Sequence, residues 1–167
     1  MGRRYTILEN EIKSAIDFRF SKRSEKYLIQ ALTRKGYAKE RVEAHEKCES
    51  QEDLAVLGDG ILRAVLTELL MKEGYTTKGD LTKKRSKLEN NATLASIADE
   101  RGIGKDAIRL TKTELNKWEE SEETILSDTL EALIGAIHLA SGYARCRLLI
   151  KMWFKDSIDE LGSKTTN

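Results

Sequence analysis

The chain has 167 residues, 40% hydrophobic and 34% charged, with a formal net charge of +1. That length is one domain's worth and can bury a sizeable core. The near-neutral balance excludes a chain-wide polycation, so any nucleic-acid surface must be local.

Proline is absent. Only glycines and polar clusters interrupt long helices, and an all-α fold is expected. The spacing of Leu8, Ile12, Ala15 and Ile16 predicts a first helix over 7–18. Ser21 precedes a second over 25–33, with Tyr27, Leu28, Ala31 and Leu32 apolar and Gly36 as its left-handed cap. Residues 37–51 are polar and read as loop, helix extension or both. A long helix follows over 51–72, closed by Glu73-Gly74. Thr77-Lys78-Gly79-Asp80 reads as a turn before a helix over 81–88. Asn90-Asn91 breaks that helix, and a short one over 93–100 turns Leu94, Ile97 and Ala98 inward. Gly102 and Gly104 make a tight connection, and 108–118 is either loop or short helix. A second long helix is expected over 124–140, ended by Ser141-Gly142. A last helix over 143–161 completes a single domain, 1–161, with a frayed tail over 162–167.

No apolar run approaches the roughly 18 residues of a membrane span. Cys48 and Cys146 make no disulfide pattern and no secretory leader is legible, so the expected setting is a reducing cytoplasm. His45 with Cys48, and His138 with Cys146, do not match zinc-site spacings. Trp118 and Trp153 read as packing residues.

The two long helices carry acids beside glycine. On a wheel of 3.6 residues per turn, Leu54, Leu57, Ile61 and Val65 fall on one side of the first, and Glu52 and Asp59 on the other. Gly58 sits in mid-helix at a cost of about 1 kcal/mol relative to Ala, which suggests close approach of another backbone. In the second, Leu126, Leu130, Leu133, Ile134 and Ile137 form the apolar arc. Asp128, Glu131 and Gly135 lie opposite, with Ala132 and Ala136 beside them. Two such helices can pack closely and pool their carboxylates, and a hard oxygen site suits magnesium or manganese.

Phe18-Arg19-Phe20 through Ala31-Leu32-Thr33, Gly36-Tyr37-Ala38, Leu57-Gly58-Asp59 with its acidic lead-in, Gly79-Asp80-Leu81-Thr82-Lys83, Leu88-Glu89-Asn90-Asn91, and Ile125-Leu126-Ser127-Asp128 through Gly135-Ala136 occur in that order. Together they resemble the catalytic domain of the ribonuclease III family, across nearly the whole chain. The resemblance implies an all-α, homodimeric endonuclease that cuts double-stranded RNA with one magnesium site per subunit. Asp59, Asp128 and Glu131 match the metal-ligand positions. Two positions depart from the main bacterial pattern, Ala55 and Lys78 standing where acids are expected. A compact branch, mini-ribonuclease III, resembles this chain in having a small residue at the first. The double-stranded-RNA-binding domain common in the family is not expected in this chain. Glu52 lies about 10.5 Å along the helix from Asp59, too far for a direct swap with position 55. It is expected to act through water, at a second metal or on an RNA hydroxyl.

Lys83, Lys84 and Arg85 are either a solvated helix face or contacts to RNA phosphates. Val56 stands where the family places an aromatic residue that plugs a pocket on the partner. It is the expected dimer contact, with Leu54 or Leu62 adding area. The rival to a nuclease is a scaffold protein that keeps the fold and dimer without catalysis.

Overall fold

The computed structural model describes residues 16–163. Among them are nine helices: α1 Glu25–Ala31, α2 Lys35–Glu43, α3 Glu52–Lys72, α4 Lys78–Leu88, α5 Asn91–Glu100, α6 Lys112–Asn116, α7 Trp118–Ser141, α8 Tyr143–Trp153 and α9 Lys155–Ser163. None of the described helices is long and apolar enough to cross a membrane. α7 is the axis of the domain. It packs most extensively on α3, then on α5 and α1, while α4 and α8 flank α3.

The local chemistry explains most boundaries. Thr77 accepts from the Asp80 N–H and caps α4, so the helix begins at Lys78, inside the segment expected to be a turn. Asn90 accepts from the Thr93 N–H and starts α5 in the same way. Thr111 and Glu114 form a reciprocal capping box that resolves the 108–118 segment into a short helix, α6. α7 starts at Trp118, six residues before the expected start, and ends at Gly142, whose φ of 79° favours a residue without Cβ.

Three expectations are corrected. Gly36 does not cap a helix. It is the second residue of α2, and a Cβ there would stand 3.0 Å from Thr111 Cγ2. The last expected helix is two, broken at Phe154, which is fully buried and leaves helical geometry at φ −97°, ψ 6°. Gly162 and Ser163 belong to α9, not to a tail. The expected helix over 7–18 lies mainly outside the described residues. Its end is not helical, for Asp17 has φ 54°, and Ile16, Phe18 and Phe20 are buried in the core. Residues 37–51 are helix as far as Glu43, then irregular after His45 at φ 62°.

The central pair packs where its glycines lie. A Cβ on Gly58 would fall 1.8 Å from the Glu131 carbonyl oxygen, and one on Gly135 would fall 2.2 Å from the Leu54 carbonyl oxygen. Each helix thus presses its backbone into the other's missing side chain. Leu54, Ile61 and Val65 from α3, and Leu126, Leu130, Leu133, Ile134 and Ile137 from α7, join one core. Trp153 is buried in it and Trp118 packs on its edge.

Candidate active site

The α3–α7 contact places acids from both helices along one cleft. Asp59 follows Gly58 directly, and Glu131 is the residue whose carbonyl Gly58 meets. The cleft holds about 460 Å³ and is lined by Glu52, Asp59, Asp128 and Glu131. Arg34 and Lys35 add two cations; Gln51, Ala55 and Val56 complete the wall. Thus all four acids singled out in the sequence face one space, with Ala55 among them offering no ligand.

Three of the acids are held by cations of the protein. The Asp59 Oδ1 accepts from Arg63 Nη2 at 3.1 Å, and the Asp128 Oδ2 accepts from Arg34 Nη1 at 2.7 Å. Glu52 Oε1 accepts from Lys35 Nζ at 2.9 Å, on the solvent side. Glu131 makes no hydrogen bond or ion pair among the described residues. Its carboxyl is pushed up to about 7, first by burial and then by the charges of Asp59 and Asp128; Arg63 works in the opposite direction. Glu89 adds a further negative charge near Glu131. It is itself paired with Arg85 at 3.3 Å and with Arg63 at 3.7 Å.

These donors suit a hard divalent cation in type and charge. Repulsion from Asp59 and Asp128, which helps to raise the Glu131 carboxyl, is what such an ion would relieve. As the side chains stand, no three Asp, Glu, His or Cys groups among the described residues are gathered closely enough to share one ion. Asp59 and Asp128 are turned to guanidinium groups instead. A cation bound here would have to take carboxylate oxygens from Arg34 and Arg63.

The other expected contacts divide. Lys84 Nζ donates to the Leu161 carbonyl at 2.9 Å and lies over the Tyr75 ring. Arg85 bonds Glu89 and, at 3.3 Å, Thr67 Oγ1. Of the three basic residues, Lys83 alone is exposed. Lys78 is exposed at the start of α4 and does not line the cleft. Val56 is 76% exposed, an apolar side chain beside the acids. Leu54 and Leu62 are buried in the core of this chain and add no outward area, contrary to expectation. Arg34, Lys35, Gln51, Arg63 and Glu89 are the parts of the site that the sequence reading missed. Arg63 alone had a local signal, four residues after Asp59 on the same helix.

Fold and cleft together define an all-helical domain whose acidic groove is shared by two glycine-packed helices. The family model described as Ribonuclease-III-like matches residues 24–158. Ribonuclease 3 of Natranaerobius thermophilus is 34% identical over 141 residues, covering 84% of this chain and 60% of that protein. Ribonuclease 3 of Colwellia psychrerythraea is 38% identical over 129 residues, 77% of this chain and 45% of the relative. A solved nuclease domain of ribonuclease III from Campylobacter jejuni superposes with a TM-score of 0.76 at 31% identity, covering 87% of this chain and 95% of that one. That structure is described as showing flexibility in a region involved in dimer formation. The chain belongs to the ribonuclease III family, and it spans about 60% of the length of curated relatives it matches.

Proposed function

We propose that this chain is a metal-dependent endonuclease that hydrolyses double-stranded RNA as a homodimer, with one active site per subunit. The observation that carries the reading is that Asp59, Asp128 and Glu131 line one cleft in a chain of this family. These three would hold magnesium, with manganese able to substitute. The bound ion supplies Lewis acidity, acidifying water and neutralising charge on the phosphate.

The chain's own groups do the rest. Glu131, poised near neutrality, can release its proton as a cation arrives. Glu52 stands at the open side of the cleft, where it can order water or meet an RNA hydroxyl. Lys83 offers an exposed ammonium to backbone phosphate. Two clefts in a fixed relation are needed to cut both strands at a set offset, and Val56 is the apolar contact assigned to the two-fold interface. Residues 1–161 act as the catalytic domain.

Cleavage of a generic RNA duplex under metal titration tests the reading. Wild-type protein is expected to cut only with divalent metal. Glu131→Gln is expected to abolish cutting and spare duplex binding, since it removes a ligand and leaves the surface nearly unchanged. Duplex binding without cleavage at any metal concentration would establish the scaffold reading instead.

A further inference from the structure

Arg34 is the most constrained cation of the cleft. It caps the start of α2 in extended geometry, at φ −71° and ψ 152°. Its N–H donates to the Arg109 carbonyl at 3.2 Å, and the preceding Thr33 carbonyl accepts from the Gln51 N–H at 2.9 Å. The backbone is thereby tied both to the 109 segment and to the start of α3. The side chain is only 21% exposed. Its Nε donates to Glu114 Oε1 at 3.4 Å and its Nη1 to Asp128 at 2.7 Å. The Gln51 amide, oriented so that it donates to the Ala31 carbonyl, accepts from the same Nη1 at 3.1 Å. Nη2 has no partner among the described residues. Lys35, by contrast, is 74% exposed.

The charge of the cleft is equally specific. Its lining carries four carboxyl groups and two cations, at most two negative charges when Glu131 is ionised. That matches one divalent ion, and leaves a second without compensation. Ala55 lines the same wall and supplies no ligand for a second ion. We propose that Arg34 contacts the scissile phosphate directly, so that the cleft works with one divalent ion and one guanidinium where other sites use a pair of ions. The inference rests on the nuclease reading above.

The guanidinium fork suits this task, because it meets two phosphate oxygens with parallel N–H bonds. Were Asp128 to serve as a ligand, the Nη1 hydrogen it now accepts would be free, and Nη1 and Nη2 could meet a phosphate together. Glu114 and the buried Gln51 keep the group in place. In the reaction water adds across one P–O bond and the departing oxygen takes up a proton. Arg34 moves no proton; its guanidinium only donates hydrogen bonds. It holds charge that grows on the non-bridging oxygens.

Two measurements on the full chain test this. Manganese is titrated into the RNA-free protein and counted by electron paramagnetic resonance. Single-turnover cleavage of a duplex is then followed at saturating manganese. Wild type is expected to bind one ion per subunit. Arg34→Ala is expected to bind it roughly five- to tenfold more tightly, since a competing charge has left Asp128. The same variant is expected to cleave about 100-fold more slowly. Arg34→Lys should recover part of the rate. A merely structural Arg34 would lower metal binding and rate together, and a mere plug would raise both; either result overturns the proposal. Two ions per subunit also overturn it. If Arg34→Ala does not fold, Arg34→Gln and the wild-type count still decide. Wild type that binds manganese and duplex but never cleaves removes the nuclease reading and Arg34's role with it. An active wild type beside an equally active Arg34→Ala removes Arg34 alone.

Discussion

Replacing Gly58 by Ala sets two effects of opposite sign against each other. A Cβ at this position would stand 1.8 Å from the Glu131 carbonyl oxygen and 2.6 Å from its carbon. An ordinary C···O contact is about 3.4 Å, so α3 and α7 must part locally by roughly 1.5 Å. Overpacking of this kind costs about 1–3 kcal/mol, and more when backbone must give. Here the opposing atoms are backbone in a helix whose neighbours are buried, so about 3 kcal/mol is the working figure. Removing a mid-helix glycine returns about 1 kcal/mol. The net is a destabilisation near 2 kcal/mol, or roughly 4–8 °C in Tm. Gly60 is the internal control. It lies two residues on in the same helix, with nothing within 4 Å of a Cβ built there. Gly60→Ala is expected to gain up to about 1 kcal/mol. Urea and thermal unfolding followed by circular dichroism measure both. Gly58→Ala as stable as wild type, or more so, would refute the argument that the two helices meet backbone to backbone. Because the displaced carbonyl belongs to Glu131, this variant should also lose on the order of 100-fold in cleavage where it remains folded.

Glu131 links the site to pH. Its folded carboxyl is raised from 4.5 to about 7, so between those values the folded state holds a proton that the unfolded chain has released. Stability therefore falls as pH rises through that window. Glu131→Gln removes the penalty and should stabilise the metal-free protein by about 1–2 kcal/mol near pH 8, after discount for solvent screening, and by much less near pH 5; urea unfolding at both values checks it. Val56→Asp would bury an unpaired charge at the proposed two-fold contact and should weaken self-association by about 100-fold. Sedimentation showing an unchanged dimer, or a wild-type monomer at micromolar concentration making paired cuts, would sink that assignment. Arg85→Ala leaves Glu89 with Arg63 alone and should destabilise by about 1–2 kcal/mol. Lys83→Glu should change stability by less than about 0.5 kcal/mol while weakening duplex binding and its salt dependence, which filter binding across a salt series would read.

The sequence by itself determined the helical class, both long helices and the core stripe of α3, because absent proline and a 3.6-residue apolar period act within one turn or two. Gly58 was legible for the same reason: a costly residue in mid-helix signals a neighbour. Asp59, Asp128 and Glu131 carried their own local pattern. Capping was less visible. Thr77 and Thr111 start helices through bonds that reach only three residues ahead, yet Thr77 sat in a segment that also reads as a turn. The break at Phe154 has neither proline nor glycine to mark it. Burial of Phe154 and Ile158 in the shared core accompanies it, and burial is a property of the assembled helices. Arg34 reaches Asp128 across 94 positions of the chain. No period or spacing encodes such a pair. Tertiary packing alone decided that Asp128 faces the Arg34 guanidinium, that Lys84 reaches the Leu161 carbonyl, and that Glu131 stays unpaired among the described residues, because each depends on which distant group the core brings within a few ångströms.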